Sequence, residues 1–487
     1  MSEGPEMPDG VESGDAQAAP HAAAAGTSST EASSKVASSS ADASGTPSSP
    51  AAPDASSTAE AGGSGRGTSR RGLLGALGAG GAGLVVGAAA GALWPRGEAA
   101  AQATPQASDT VSMFGEHQAG IATPVQDRMH TAAFDLTTTK ASDVVALLKE
   151  WSSAIGYMTQ GLPVGGGSGA GGELLAAPED TGEAVGLSAA NLTVTVGFGR
   201  GMFVDSAGKD RLGLKDKLPA GLIELPHFAG DMLEKARSGG DLVVQACADD
   251  PQVAVHAVRN LARIAFGTAS VRWSQIGFGR TASTSRQQAT PRNLFGFKDG
   301  TSNLKVEDPQ LLSEHVWASG LSGGEAWLNG GTFMVARRIR MYIEVWDRQN
   351  LAEQETVVGR SKSVGAPLSG GDEFTAPDFT KKGEDGLAIA RDSHVALAHP
   401  SVNKGVQLLR RGYSYTDGSD GLGRLDAGLF FIAFVKDPRT HYVPMQTRIS
   451  AQDQMQEYLR HTGSGLYAVP PGINGAGGYL GQALFEG

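Results

Sequence analysis

The first strand-like alternation of apolar and polar residues falls at Ala132–Leu136. A helical pattern follows over Ser142–Met158. Val144, Leu147, Leu148, Trp151 and Ile155 recur at helical spacing, and Ser142 stands where a cap is needed. Residues 162–172 are glycine-rich and read as a loop. Leu192–Phe198 and Leu242–Cys247 alternate as strands. Asp249-Asp250-Pro251 then opens a second helix. Val255, Val258, Leu261, Ala262, Ala265 and Phe266 form its expected apolar face, and Gly267 is placed to end it. Val271–Gly277 closes the series. The order β-α-β-β-α-β is that of a ferredoxin-like unit.

The same order can be traced again further on. Thr332–Trp346 predicts a long strand and Asp347–Val358 a helix. Val406–Tyr413 and Leu429–Val435 predict strands. Ser450–His461 predicts a helix, with Ser450 and Asp453 as a capping box and Met455, Tyr458 and Leu459 on one face, and a short strand is expected near Leu466. The expected fold is therefore α+β, with two ferredoxin-like halves at 112–310 and 311–487, each holding an antiparallel sheet. Residues 360–405 interrupt the second half. An insert of that length without clear periodicity is more often functional than idle.

Composition separates the first hundred of the 487 residues from the rest. Residues 1–68 are mostly Ala, Ser, Gly, Pro and acidic side chains, too poor in apolar surface to offset the entropy of ordering. They are expected to be disordered. Residues 69–103 hold Ser69-Arg-Arg-Gly-Leu-Leu, a small and apolar run from Gly72 to Trp94, and the small-x-small site Ala101-Gln-Ala103. Paired arginines, an apolar run and a cleavage site in that order match a twin-arginine export signal. A transmembrane anchor has the same length requirement, but this run is mostly Gly and Ala and only weakly hydrophobic. The expected partner during export is the twin-arginine translocase, and the expected location is outside the cell or in its envelope. That route carries proteins already folded, which favours a bound cofactor.

The net charge is −11, and residues 1–103, with 10 acidic and 5 basic residues, contribute −5 of it. Neither part is basic, which argues against nucleic-acid binding and against anchoring on an acidic membrane surface. The single cysteine, Cys247, rules out an intramolecular disulfide, so the core and any cofactor must hold the fold.

Several chemistries are excluded by absence. The chain has no Gly-Lys-Ser/Thr phosphate loop and no His-Glu-x-x-His. Gly197-Phe-Gly-Arg-Gly201 ends a strand without opening a helix, which is not a dinucleotide fingerprint. No Cys-x-x-Cys-His exists for covalent haem attachment, and Cys247 has no paired cysteine ligand, which argues against an iron–sulfur cluster. What remains is Gly296-Phe-Lys-Asp-Gly300, Asp392-Ser-His-Val395 in the insert, and Leu409-Arg-Arg-Gly-Tyr-Ser-Tyr415 on an expected strand.

The first of these is a turn by composition alone, but together they resemble the dye-decolourising peroxidases. Gly296–Gly300 matches that family's GxxDG signature. His394 followed by Leu409–Tyr415 resembles its exported branch, which includes deferrochelatases. Gly115-Glu-His-Gln-Ala-Gly-Ile, Thr290-Pro-Arg-Asn-Leu, Val345-Trp-Asp-Arg, Gly365-Ala-Pro-Leu and His461-Thr-Gly-Ser-Gly add to the likeness, which spans about residues 112–487.

The resemblance implies one haem b per chain, held in the second half, with His394 as the proximal iron ligand. A neutral imidazole suits that role because it leaves the opposite face of the iron open. An acceptor on its other ring nitrogen would strengthen it, with Asp385 and Asp392 as candidates. Asp299 is then the distal acid–base, taking a proton from one peroxide oxygen and returning it to the other, and Arg410 stabilises the developing charge. Arg410 and Arg411 lie next to each other on a strand, so only one can face the haem, and the family motif selects Arg410. Arg411 is left as a structural or propionate-side residue.

Gly300, Thr301 and Ser302 are the implied haem contacts after the distal Asp. A second contact, Asn-Pro-Arg in the family, reads His399-Pro400-Ser401 here, which removes an arginine and adds a second candidate imidazole. Leu429 and Phe431 are expected to wall the distal side. Trp317, Trp346, Tyr413 and Tyr415 could relay electrons to bulky donors, but aromatic residues are more often core, and none is assigned. The implied activity is reduction of hydrogen peroxide with one-electron oxidation of phenolic or dye-like donors through an oxidised, ferryl haem. The alternative is haem handling for iron acquisition, by removing iron from haem or oxidising ferrous iron for an uptake partner. A homodimer is expected.

Overall fold

A computed structural model describes residues 109–487 apart from Asp385 and Ala476. The expected disordered and export segments, 1–68 and 69–103, lie outside the described residues.

The first half follows its hydrophobic pattern closely. Strand β1 (Arg128–Leu136) leads to helix α1 (Ala141–Met158), then β2 (Thr193–Gly199), β3 (Leu242–Ala248), α2 (Pro251–Ile264) and β4 (Ala269–Arg280). The strands pair antiparallel in the order β2-β3-β1-β4, the arrangement of a ferredoxin-like sheet. Asp250 caps α2 by accepting from the amides of Gln252 and Val253, with Pro251 in the first turn. Two details differ from expectation. Ser142 lies inside α1, where Lys140 is the cap residue and Thr138 Oγ1 takes the Lys140 amide. Phe266 falls beyond the last turn of α2, so it leaves the helical phase and is 90% exposed.

The second half begins with the short helix α3 (Pro309–His315) and β5 (Thr332–Met341). That strand stops five residues earlier than expected, because Ile343–Trp346 turns into helix α4. Helices α5 (Leu351–Val358) and α6 (His394–Ala398) follow, then β6 (Leu409–Arg410), β7 (Tyr413–Ser419) and β8 (Leu425–Val435). The expected strand Val406–Tyr413 is thus two pieces, β6 and the start of β7.

The expected helix Ser450–His461 is displaced. Helix α7 spans Tyr442–Gln452, with Pro444 in its first turn, where no intrahelical donor is needed. Asp453 is extended and ends it, then accepts from the Met455 amide to start a short 3-10 turn. From Leu459 the chain becomes β9 (Leu459–Val469), because ten residues of β5 offer it an antiparallel partner, with one register shift between Arg338 and Ile339. The order β9-β5-β8-β7 repeats that of the first half, and β2–β9, β4–β7 and β5–β8 pairings join these eight strands into a closed ring, with the short β6 also paired to β8.

The main core lies between α1, α2 and the outer face of the first sheet, around Phe134, Trp151, Phe198 and Leu261. A second cluster, including Met129, Cys247, Met334, Tyr413, Phe434 and Tyr467, fills the inside of the ring. A third joins Phe295, Phe297, Trp346 and Tyr458 to the second half. Trp346 stacks on Phe295 there, which makes it core. No helix among the described residues is long and apolar enough to cross a membrane.

Candidate active site

The turn Gly296–Gly300 needs glycine at both ends. Both have positive φ, and a Cβ on Gly300 would lie 2.8 Å from the Ala282 Cα. This turn delivers Asp299 to the edge of a cavity in the second half. Asp299 Oδ1 accepts from Arg410 Nη1 at 2.7 Å, and its Oδ2 accepts from Asn293 Nδ2 at 3.2 Å. Arg410 sits on β6, paired with Ala433 of β8. Its backbone is clamped at both ends by Asn303, whose Oδ1 accepts from Arg410 N and whose Nδ2 donates to Arg410 O. The strand alternation holds: Arg411 turns away from the cavity, fully buried, and donates to the carbonyls of Thr123 and Pro124 and to Gln126 Oε1. Its role is structural.

His394 opens α6 and lines the same cavity. Its Nδ1 lies 2.6 Å from Oδ2 of buried Asp453. A carboxylate can only accept, so Nδ1 carries the proton and Nε2 keeps a free lone pair. Burial works against charging this imidazole, but the Asp453 carboxylate outweighs it, with help from Asp299, and the pKa is raised. Of the two expected partners, Asp392 is not the one: it is exposed and offers its backbone carbonyl to Gln454 N, while Asp385 lies outside the described residues. Asp453 stands 59 residues from His394 in sequence, and reading it as a helix cap concealed it.

His399 also lines the cavity, but its ring is committed differently. Its Nδ1 accepts from the Ser401 amide, so the neutral ring carries its proton on Nε2. Burial and the nearby Arg360 cation lower its pKa and keep it neutral. Of the other expected contacts, Gly300, Thr301, Ser302, Pro400, Leu429 and Phe431 all border the cavity. Ser401 does not. It is exposed, and its short side chain turns back to His399 Nδ1 at 2.8 Å.

The pattern of matches across the chain agrees with this geometry. Family models described as Dyp-type peroxidase, N-terminal and C-terminal, match residues 118–279 and 290–474. The chain belongs to the Dyp-type peroxidase family. A deferrochelatase of Yersinia pseudotuberculosis is 36% identical over 77% of this chain and 84% of its own length. One of Escherichia coli O157:H7 is 35% identical over 79% of this chain and 92% of its own. Two solved structures, a DyP-type peroxidase from Streptomyces coelicolor and ferric DtpA from Streptomyces lividans, are each 38% identical. Each is covered to 98% by 79% of this chain, with a TM-score of 0.70.

This Dyp-type peroxidase is accordingly a haem enzyme that reduces peroxide. Its residues fit the group. One imidazole presents a free nitrogen to the cavity with its other nitrogen fixed by a buried carboxylate, as haem ligation requires. Apolar walls from Ile339, Leu429, Phe431 and Ile449 suit a porphyrin.

Proposed function

We propose that His394 is the iron ligand of this peroxidase and that Asp299 and Arg410 carry its peroxide chemistry. The observation that carries the proposal is the Arg410–Asp299 pair at 2.7 Å, on the wall of the cavity that His394 also lines. Bound haem supplies the oxidising equivalents that peroxide delivers and that donors later consume one electron at a time. Asp299 remains an acceptor after taking its bonds from Arg410 and Asn293, because each carboxylate oxygen has a second lone pair. It removes a proton from one peroxide oxygen and returns it to the other, which leaves as water when the O–O bond breaks. Arg410 holds a fixed positive charge beside the separating oxygens, pre-organised by Asn303. Asp453 keeps the His394 ring in one tautomer.

The donors are small phenolic or dye-like molecules or ferrous iron. Export follows the twin-arginine route on the strength of residues 69–103, and the working unit is a homodimer. The decisive experiment is a haemin titration of the purified protein. His394→Ala should remove the imidazole-ligated Soret band while His399→Ala keeps it. The reverse pattern would overturn the assignment. The names of the deferrochelatase relatives favour a second reading, removal of iron from haem. Metal-free porphyrin fluorescence appearing during incubation with haemin would establish it.

A further inference from the structure

The cavity wall holds three permanent cations, and two are matched by carboxylates. Lys298 pairs with Glu373, and Arg410 pairs with Asp299. Arg360 is the third. It is 7% exposed, and no carboxylate among the described residues forms an ion pair with it. Its Nη1 donates to the backbone carbonyls of Gly365 and Glu373, and the rest of the guanidinium has no partner among the described residues. The Glu373 carboxylate, the nearest candidate, is already engaged by Lys298 and Thr301. Burial lowers the Arg360 pKa, and the Glu373 carboxylate, shared with Lys298, offsets this only in part. Buried cations without an anion are rare because desolvation costs several kcal/mol. The arrangement calls for an anion supplied from the cavity.

We propose that Arg360 receives a propionate of the haem and so fixes which way the porphyrin enters the cavity. This rests on the haem reading of the site. Three observations point the same way. Arg360 is close enough to His399 to lower its pKa, and that ring has its donor on Nε2. Carboxylate recognition therefore has a second donor on the same side of the cavity. Ser401, bonded to the His399 ring just outside the cavity, brings no charge to that side, so Arg360 supplies it. Among the described residues no other permanent cation lines the cavity: Tyr442 and Gln446 are neutral, and Arg337, outside the lining, is paired with Asp231. Arg411, also buried without a carboxylate, meets three oxygen acceptors and does not face the cavity.

The test compares haemin with haemin dimethyl ester, in which both propionates are neutral. Binding to the full-length protein is read from the Soret band, and release from the loss of that band to excess apomyoglobin. The wild type should hold haemin at least about 10-fold more tightly than the ester. Arg360→Met should weaken haemin by about 10- to 100-fold and leave the ester unchanged. Ser401→Arg added to that variant should recover most of the loss. Arg360→Lys keeps a charge that can hold the loop, and it should preserve the preference for haemin if the methionine variant fails to fold. Equal weakening of both porphyrins by Arg360→Met, or a wild type indifferent to esterification, overturns the proposal while leaving His394 as ligand. A wild type without a Soret band in haemin overturns the haem reading and this inference together.

Discussion

In the first half of the chain, α1 and α2 press Trp151, Leu148 and Leu261 directly onto the sheet, and α2 lies across β1 and β3. In the second half the strand order is the same, but α7 packs on α6 through Leu397, Met445 and Ile449. Between those helices and β5, β8 and β9 the space is left open, walled by Ile339, Leu429, Phe431 and Leu459. One frame therefore serves two ends. Filled, it is a core, and left unfilled it is a cofactor site. The polar groups follow the same division. Asp299, Arg410, Lys298 and Arg360 border the open space, whereas Trp151 spends its one donor on the Leu261 carbonyl.

Truncations in the two halves should break this comparison most strongly. Trp151→Ala removes a fully buried ring and should cost about 3–5 kcal/mol in denaturant unfolding, without altering the Soret spectrum of the protein that remains folded. Leu429→Ala, on the open side, should cost only about 1 kcal/mol, because one face of that side chain already borders the cavity. Equal costs would mean that the cavity is not open space in solution. Next in size is Arg410→Leu. It should slow the peroxide step by about 10²–10³-fold in stopped-flow measurements and leave haem bound. An unchanged rate would remove Arg410 from the chemistry.

The first half was legible in the sequence because its helices meet the sheet along their whole apolar face. Val144, Leu147, Leu148 and Trp151 recur at helical spacing for that reason. The second half was read less well for the converse reason. Helix α7 carries Gln446 on its buried face, since that face borders the cavity, and so its apolar period is broken. The site divides similarly. Gly296–Gly300 is recognisable because a local left-handed backbone dictates its glycines. The pairing of Arg410 with Asp299 spans 111 residues, and that of His394 with Asp453 spans 59. Motif resemblance supplied the members of the first pair, and nothing local marked Asp453, Asn303 or Arg360.

Asp453→Asn sharpens the comparison by testing how far the buried support of the open site matters. The amide can still accept from His394 Nδ1, but it lacks the charge that raises the imidazole's donor strength. Haem affinity or peroxidase turnover should fall by about 10- to 100-fold, and the iron reduction potential should move positive. A potential that stays fixed would mean that Asp453 only positions the ring.

The smallest effect concerns acid, to which both sheets should be sensitive. His461 on β9 is buried beside the Arg337 cation. Burial first, and that charge second, push its pKa down to about 3. Asp231, 3.9 Å away, cannot compensate because it is already paired with Arg337. The folded state thus resists protonation that the unfolded chain accepts near pH 6.5. Between these values the unfolded state binds more protons, so stability rises with pH, is complete above about 6.5, and is lost as pH falls towards 3. At pH 5.5 the loss from this one group should be about 1.4 kcal/mol. His461→Gln should remove this one group's share of the pH dependence in urea unfolding at constant salt. In the first half, burial pushes His130 on β1 down only to about 4, so its contribution ends at a higher pH. Only His461→Gln combined with His130→Gln should remove both contributions, and a slope left unchanged by His461→Gln alone would mean that burial on β9 does not hold this imidazole neutral.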